Sequence, residues 1–127
     1  MNTLLWVLQW LLAVVFMMAA AMKLLQPYQK MAEDPRMGWV KDFGPGLVRT
    51  AGAAELLGAI ALVIPGLIGV AELLTPLAAF GLAAQMLIAA VWVHRPRKET
   101  MMIGMNAMLM LLALVVGIGR IIEPLSG

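Results

Sequence analysis

The chain has 127 residues, of which 63% are hydrophobic and only 13% are charged, and its mean hydropathy is +0.94. Soluble domains carry about a quarter charged residues, so this composition excludes an ordinary soluble domain and predicts a membrane protein. The absence of cysteine excludes thiol chemistry and cysteine-ligated metal sites. The net charge of +2 does not predict a nucleic-acid partner, because the basic residues flank apolar segments instead of forming a dense patch.

Four apolar runs are each long enough to cross a bilayer. A helix needs about 20 apolar residues to span a hydrocarbon core of ~30 Å. The sequence therefore predicts an all-α fold, a polytopic four-transmembrane-helix bundle that forms a single domain over residues 1–127. Its helices are expected at residues 4–25, 47–64, 73–93 and 101–122, with a longer connection at 26–46. We expect the first run to be a retained helix, since it is too long for a signal-peptide core and no Lys or Arg precedes it.

The first and third connections hold most of the basic residues. Around the first connection these are Lys23, Lys30, Arg36, Lys41 and Arg49, and in the third they are Arg95, Arg97 and Lys98. The second connection, around Pro65 to Glu72, has none. Because cytoplasmic loops are enriched in Lys and Arg, we predict a multi-pass protein of the cell membrane with the first and third connections in the cytoplasm and both termini outside.

Helix two combines small residues with a proline near its end. Small residues at three- and four-residue steps share one face, which lets a neighbouring helix approach closely; they are Ala51, Ala54, Gly58 and Ala61. The Pro65-Gly66 pair predicts the end of this helix.

All four helices place a polar residue in the predicted cytoplasmic half. At a rise of about 1.5 Å per residue, Lys23 lies ~5 Å inside the boundary and Glu55 ~10 Å. With the same rise per residue, Asn106 lies ~8 Å and Gln85 ~13 Å inside the boundary. Ionisable groups at such depths are functional candidates by default. The candidate ligand-binding residues are therefore Lys23, Arg49, Glu55, Gln85, His94 and Asn106.

Each candidate also has a purely structural interpretation. Lys23 and Arg49 are long enough to reach the headgroups from within the membrane, and His94 is close enough to the boundary to be interfacial. Gln85 and Asn106 are typical of hydrogen bonds between helices. Glu55 is the hardest to explain structurally, because a carboxylate needs a cation, a proton or water, and Lys23 is its best-placed partner, directly or through Arg49.

Near the outer boundary the sequence predicts a structural ion pair between Glu72 and Arg120. The pair would tie helix four to the second connection and contribute only ~0 to 1 kcal/mol if exposed. No catalytic residues and no metal-ligand set are predicted, and the single histidine excludes bis-histidine haem ligation within one chain.

The order of these residues resembles the DoxX-like family of small four-helix membrane proteins. The first helix ends in Met22-Lys23-Leu24. In the second, Arg49 precedes Gly52 and the run Glu55-Leu56-Leu57-Gly58, and a turn at Pro65 follows. The third helix ends at His94, and the last ends in Gly119-Arg120. The resemblance implies the fold and a membrane location. The family is named for a membrane subunit of a thiosulfate:quinone oxidoreductase, and some relatives are accessory partners of thiol or oxidative-stress redox systems.

Three functions are compatible with these patterns. The first is an accessory or scaffold subunit of a membrane redox system, with no activity of its own. The second is a binder of a quinone, lipid or other amphipathic molecule, in a cytoplasm-facing cavity lined by Lys23, Glu55, Gln85, His94 and Asn106. The third is a small transporter or membrane-embedded enzyme, for which a homodimer could supply eight helices. Without cysteine the chain cannot perform thiol–disulfide exchange, so a redox role requires a bound quinone or a partner subunit.

Overall fold

A computed structural model describes residues 2–34, 38, 40–41, 43–94, 98 and 100–124. Within those ranges the regular structure is entirely helical. The helices are α1 (Asn2–Leu25), α2 (Tyr28–Glu33), α3 (Pro45–Ile68), α4 (Leu74–Ile88), which continues as a π-helical segment (Ala89–His94), and α5 (Thr100–Ile122). Four of them, α1, α3, α4 with most of its π-helical continuation, and α5, are long and apolar enough to cross a membrane, which confirms the predicted four-helix bundle.

The four long helices form a closed ring in which each packs against two neighbours. The order around the ring is α1, α3, α4, α5, and the most extensive contacts are between α1 and α3 and between α4 and α5. Neighbouring helices run in opposite directions, as expected for a bundle with short connections. Leu12, Phe16, Leu62, Leu82 and Val116 lie in the core between them.

The bundle has two polar ends. The basic end is formed by the end of α1, the start of α3, the π-helical segment and the start of α5. The opposite end is formed by the start of α1, the end of α3, the start of α4 and the end of α5. Of the basic residues that led to the predicted orientation, Arg36, Arg95 and Arg97 lie outside the described residues.

The prediction that α3 ends at Pro65-Gly66 is wrong, because the helix continues through both residues to Ile68. It ends at Gly69, whose φ of 69° lies in the left-handed region that glycine adopts readily, and whose N–H donates to the Pro65 carbonyl.

A side chain from α4 explains how α3 accommodates a buried proline. Pro65 has no N–H, so it cannot make the usual helical hydrogen bond to the carbonyl of Ala61. The hydroxyl of Thr75, at the start of α4, donates to that carbonyl at 2.8 Å and is itself fully buried. Hydroxyl side chains from neighbouring helices commonly satisfy carbonyls left by proline in membranes.

The first connection folds against the basic end around a small apolar cluster of its own. Met31, Val40 and Val48 are buried together there. The hydroxyl of Tyr28 lies 3.0 Å from the carbonyl of Val40 and 2.8 Å from that of Phe43, so it can donate to either. These contacts hold Val40 and Phe43 close to α2 and to the start of α3.

Candidate functional site

Lys23 and Glu55 form a direct ion pair between α1 and α3, inside the bundle. Only 14% of the Lys23 side chain and 1% of the Glu55 side chain is exposed, so both charged groups are largely buried. A buried carboxylate requires such a partner, because desolvation of an unpaired charge is strongly unfavourable. Lys23 therefore turns inward to Glu55 instead of extending to the membrane surface.

Gly52 gives α1 and α3 the close approach that this ion pair needs. It lies one turn before Glu55 on α3, and a Cβ built on it would be only 2.8 Å from the Cβ of Lys23. Any side chain at this position would push Lys23 away from α3, and with it the ammonium group away from Glu55.

Gln85 joins α4 to the ion pair. Its Nε2 donates to the Glu55 carboxylate at 3.2 Å and to the carbonyl of Ala51 at 3.4 Å. The same Glu55 oxygen, Oε1, accepts from both Lys23 and Gln85, so one atom connects three helices.

Arg49 contacts the backbone of Lys23 instead of the Glu55 carboxylate. Its Nη1 donates to the carbonyl of Lys23. In a continuous helix that carbonyl would accept from the residue four positions later, but this residue is Pro27, which has no N–H. Arg49 thus satisfies the carbonyl that Pro27 leaves at the end of α1. We call Lys23, Arg49, Glu55 and Gln85 the ion-pair cluster.

Asn106 and His94 are buried at the same end but make no described hydrogen bond to Glu55. Asn106 is 6% exposed on α5, and His94 is 4% exposed in the π-helical segment. Within the described part of the chain, Glu55 Oε2 and Asn106 Nδ2 are buried without a hydrogen-bond partner. Buried polar atoms of this kind are uncommon in native structures. Among the residues described, no group of three His, Asp or Glu side chains is placed to hold a metal ion.

The surface cavity that includes Gln85 does not otherwise coincide with the predicted one. It is an open groove of about 370 Å³ between α3 and α4, mostly apolar. Of the predicted cavity residues only Gln85 lines it, together with Ala54, Leu57, Gly58, Ala61, Leu74, Leu77, Ala78, Gly81 and Leu82. Of the small residues of α3 that were expected to let a neighbouring helix approach, Ala54, Gly58 and Ala61 line this groove. Gly58 also lies against Leu82 of α4, where a Cβ would be 2.9 Å from the leucine side chain. The groove runs along α4 from Leu74 to Gln85, a length of ~16 Å at the helical rise.

The opposite end holds a second polar cluster, centred on Arg120. This residue does not pair with Glu72. Its Nε donates to Gln9 Oε1 at 2.6 Å, and its Nη1 donates to Asn2 Oδ1 at 2.8 Å. The amide of Gln9 in turn donates to the carbonyl of Leu62 at 2.6 Å, so the cluster links α5, α1 and α3.

Packing between α5 and α1 explains why Arg120 points inward. Gly119 lies against Leu5, and a Cβ on this glycine would be 2.5 Å from the nearest Leu5 atom. This close contact turns Arg120, which is 3% exposed, towards α1 and away from the second connection. Depth and opposite charge suggested a pair of Arg120 with Glu72, but they do not show towards which neighbouring helix Arg120 points.

Comparison with known protein families gives a match over most of the chain. A family model of the DoxX-like family matches residues 7–116, which include the ion-pair cluster and exclude Arg120. Neither the curated proteins nor the solved structures contain a match. With the match spanning most of its length and four membrane-spanning helices in its structure, this chain belongs to the DoxX-like family.

Proposed function

We propose that this protein is an accessory subunit of a membrane redox system, in which the four-helix bundle serves as a rigid scaffold for a partner subunit. The observation that carries this proposal is the ion-pair cluster, in which Lys23 and Glu55 pair across α1 and α3 and the amide of Gln85 joins α4 to them. The redox assignment is supported by the family resemblance. The proposed orientation, with the basic end in the cytoplasm, is supported by the Lys and Arg distribution.

The geometry of the cluster suits a structural role. A buried ion pair often contributes little more to stability than apolar residues of similar size, but it can specify one arrangement of the helices. Lys23 must face Glu55, and Gln85 must face both Glu55 and Ala51, so the positions of α1, α3 and α4 along one another are defined. A partner subunit would then meet a bundle surface of constant shape.

The experiment is purification of the tagged protein from its own membranes under mild conditions, followed by native mass spectrometry and absorption spectroscopy. We expect a stoichiometric complex with a subunit that carries a redox cofactor. Lys23→Met should lose the partner, because it leaves Glu55 buried and unpaired. The double variant Lys23→Met/Glu55→Leu should regain it.

Two outcomes would overturn the scaffold proposal. One is a protein that is isolated only by itself, as a monomer or with further copies of its own chain. The other is a double variant that assembles fully with the partner but leaves the complex inactive, since the charges would then take part in chemistry.

The α3–α4 groove favours a second candidate, binding of a quinone, lipid or other amphipathic molecule. Gln85 lies at one end of the groove and contacts Glu55, so a polar headgroup there would be adjacent to the ion pair while its tail followed the apolar walls. Ligand sites are commonly apolar clefts with a few polar groups.

Two glycine variants test the groove. Gly81 lines it and has open space around its Cβ position, so Gly81→Leu should fill it without disturbing the bundle. Gly104→Leu on α5 is the matched control, because its Cβ position is equally open and it is not among the residues that line the groove. The binding hypothesis requires that added quinone or lipid raises the Tm of the wild type and Gly104→Leu but not of Gly81→Leu. Equal responses of all three proteins would exclude this groove.

A further inference from the structure

We infer that the opposite end of the bundle contains a binding site for a phosphate group, formed by the guanidinium of Arg120 and the first turn of α1. The inference is independent of the proposed scaffold function, because none of these groups belongs to the ion-pair cluster.

The starting observation is a buried cation whose hydrogen bonds all go to neutral groups. Arg120 is 3% exposed, and its hydrogen bonds go to Gln9, Asn2 and the backbone carbonyl of Glu123, the last at 3.3 Å. Across the described ranges, the one ion pair between side chains is Lys23–Glu55, so Arg120 has no carboxylate within 4.0 Å. Its Nη2 is buried without a hydrogen-bond partner there. Buried charges are normally paired, since their desolvation is strongly unfavourable.

The remaining neighbours balance this charge only in part. The carboxylate of Glu123 attracts the guanidinium, but from beyond the 4.0 Å of a direct ion pair. The guanidinium lies 5.5 Å from the centre of the Trp6 ring, whose face attracts cations. Arg120 also lies in the last turn of α5, where the helix dipole is favourable for a cation. However, Nη1 contacts Asn2 at the start of α1, and the N-terminal end of a helix carries partial positive charge.

The first turn of α1 supplies the other half of the site. The first four N–H groups of a helix have no acceptor within it. No acidic residue lies in this turn, and Asn2 and Thr3 are exposed. A helix N-terminus and a guanidinium both bind phosphate in many proteins, through backbone N–H donors and charge-assisted hydrogen bonds. Here the Arg120–Asn2 hydrogen bond joins them.

The position of the site indicates how phosphate would reach it. Arg120 lies two residues before the end of α5, ~3 Å along the helix axis, and Asn2 is the first residue of α1. Both are therefore at the end of the membrane-spanning helices, where the phosphodiesters of phospholipids are located. Inorganic phosphate has the same chemistry, so the experiment must separate the two sources.

The experiment uses the full chain in detergent micelles and measures lipid retention by native mass spectrometry and stabilisation as a rise in Tm. The probes are phosphatidylglycerol, diacylglycerol with the same acyl chains but no phosphate, and inorganic phosphate as a competitor. We expect wild type to retain phosphatidylglycerol in preference to diacylglycerol. Competition by millimolar phosphate would assign the site to the free anion, and its absence to the lipid.

Three variants, each of which lowers the net charge by one, make the test specific. Asn2→Asp keeps the shape of Asn2 and places a carboxylate on the existing hydrogen bond to Arg120. It should raise the Tm in the absence of lipid and weaken phosphatidylglycerol binding about tenfold, the loss expected when one charge-assisted hydrogen bond is replaced. Arg120→Met should also weaken binding, whereas Lys30→Met, an exposed cation at the basic end, should leave it unchanged.

Equal retention of phosphatidylglycerol and diacylglycerol by the wild type would overturn the inference. So would an Asn2→Asp variant that binds phosphatidylglycerol as well as Lys30→Met does. If Arg120→Met does not fold, these two comparisons still decide the question, because neither depends on that variant.

Discussion

The two ends of the bundle bury a cation in different ways. At the basic end, Lys23 faces the carboxylate of Glu55, and Gln85 completes the contact. At the opposite end, Arg120 faces the neutral amides of Gln9 and Asn2. The first charge is paired directly with a carboxylate, whereas the second has the carboxylate of Glu123 only beyond 4.0 Å. We therefore infer that the basic end holds the helices together, and we propose the opposite end as the place where an external anion binds.

The two ends also share a structural device. In each, a proline leaves a carbonyl four residues earlier without its usual donor, and a side chain from the next membrane-spanning helix supplies one. Arg49 donates to the Lys23 carbonyl left by Pro27, and Thr75 donates to the Ala61 carbonyl left by Pro65. At the basic end the donor is the partly buried cation Arg49. At the opposite end the donor is the hydroxyl of Thr75, which is fully buried.

The largest effect is expected from breaking the charge balance at the basic end. Lys23→Met leaves the Glu55 carboxylate buried and unpaired, which should lower the free energy of unfolding by about 3 to 5 kcal/mol. Lys23→Met/Glu55→Leu should recover most of this loss, because an apolar pair replaces a salt bridge at little net cost. Unfolding by denaturant in mixed micelles measures both. A double variant no more stable than the single one would show that the pair does not act as a unit.

The next largest effect is expected at Gly52, which lets Lys23 approach α3. Gly52→Ala places a Cβ 2.8 Å from the Lys23 Cβ, and the resulting displacement should lower the unfolding free energy by about 1 to 3 kcal/mol. Gly104→Ala is the control, since nothing lies within 4 Å of its Cβ position. It should be as stable as the wild type or slightly more so, because alanine favours helix. Equal stability of the two variants would mean that α1 and α3 are not closely packed at Lys23.

At the opposite end, Thr75→Val should remove the only side-chain donor described for the Ala61 carbonyl. A buried carbonyl without a donor costs about 1 to 3 kcal/mol, whereas Thr75→Ser should remain close to the wild type. Adding Pro65→Ala to Thr75→Val should restore stability, because residue 65 then has an N–H for that carbonyl. If Pro65→Ala fails to compensate, the effect of Thr75 arises from packing and not from this hydrogen bond.

The number of membrane-spanning helices could be predicted from the sequence because it depends mainly on hydropathy and length. Partners within the bundle depend also on how each helix is rotated, which hydropathy does not determine. Charge and depth suggested Lys23 with Glu55, and they suggested Glu72 with Arg120 equally well. The structure has the first pair and not the second, because contact of Gly119 with Leu5 turns Arg120 towards Gln9.

The extent of α3 was mispredicted for a related reason. In soluble proteins a proline inside a helix usually kinks or ends it, because the chain is free to turn and water can hydrogen-bond the released carbonyl. In this bundle Thr75 supplies that hydrogen bond, so continuing the helix through Pro65 leaves no carbonyl unsatisfied at Ala61. Thr75 follows Pro65 across a short connection, and this arrangement is a signal that could be sought in sequence. The role of Gln9 has no comparable local signal, since its partners are 53 and 111 residues away.

The smallest of these effects is expected at Arg49, the counterpart of Thr75 at the basic end. Arg49→Met removes the donor to the Lys23 carbonyl, but this site is only partly buried, so the expected loss is about 0.5 to 1.5 kcal/mol. Pro27→Ala should compensate, because residue 27 would then have an N–H four positions after Lys23. Denaturant unfolding of the two single variants and the double variant gives the coupling energy between the residues. Additive effects would show that Arg49 stabilises the protein through its charge instead, and the comparison between the two ends would then be limited to their buried cations.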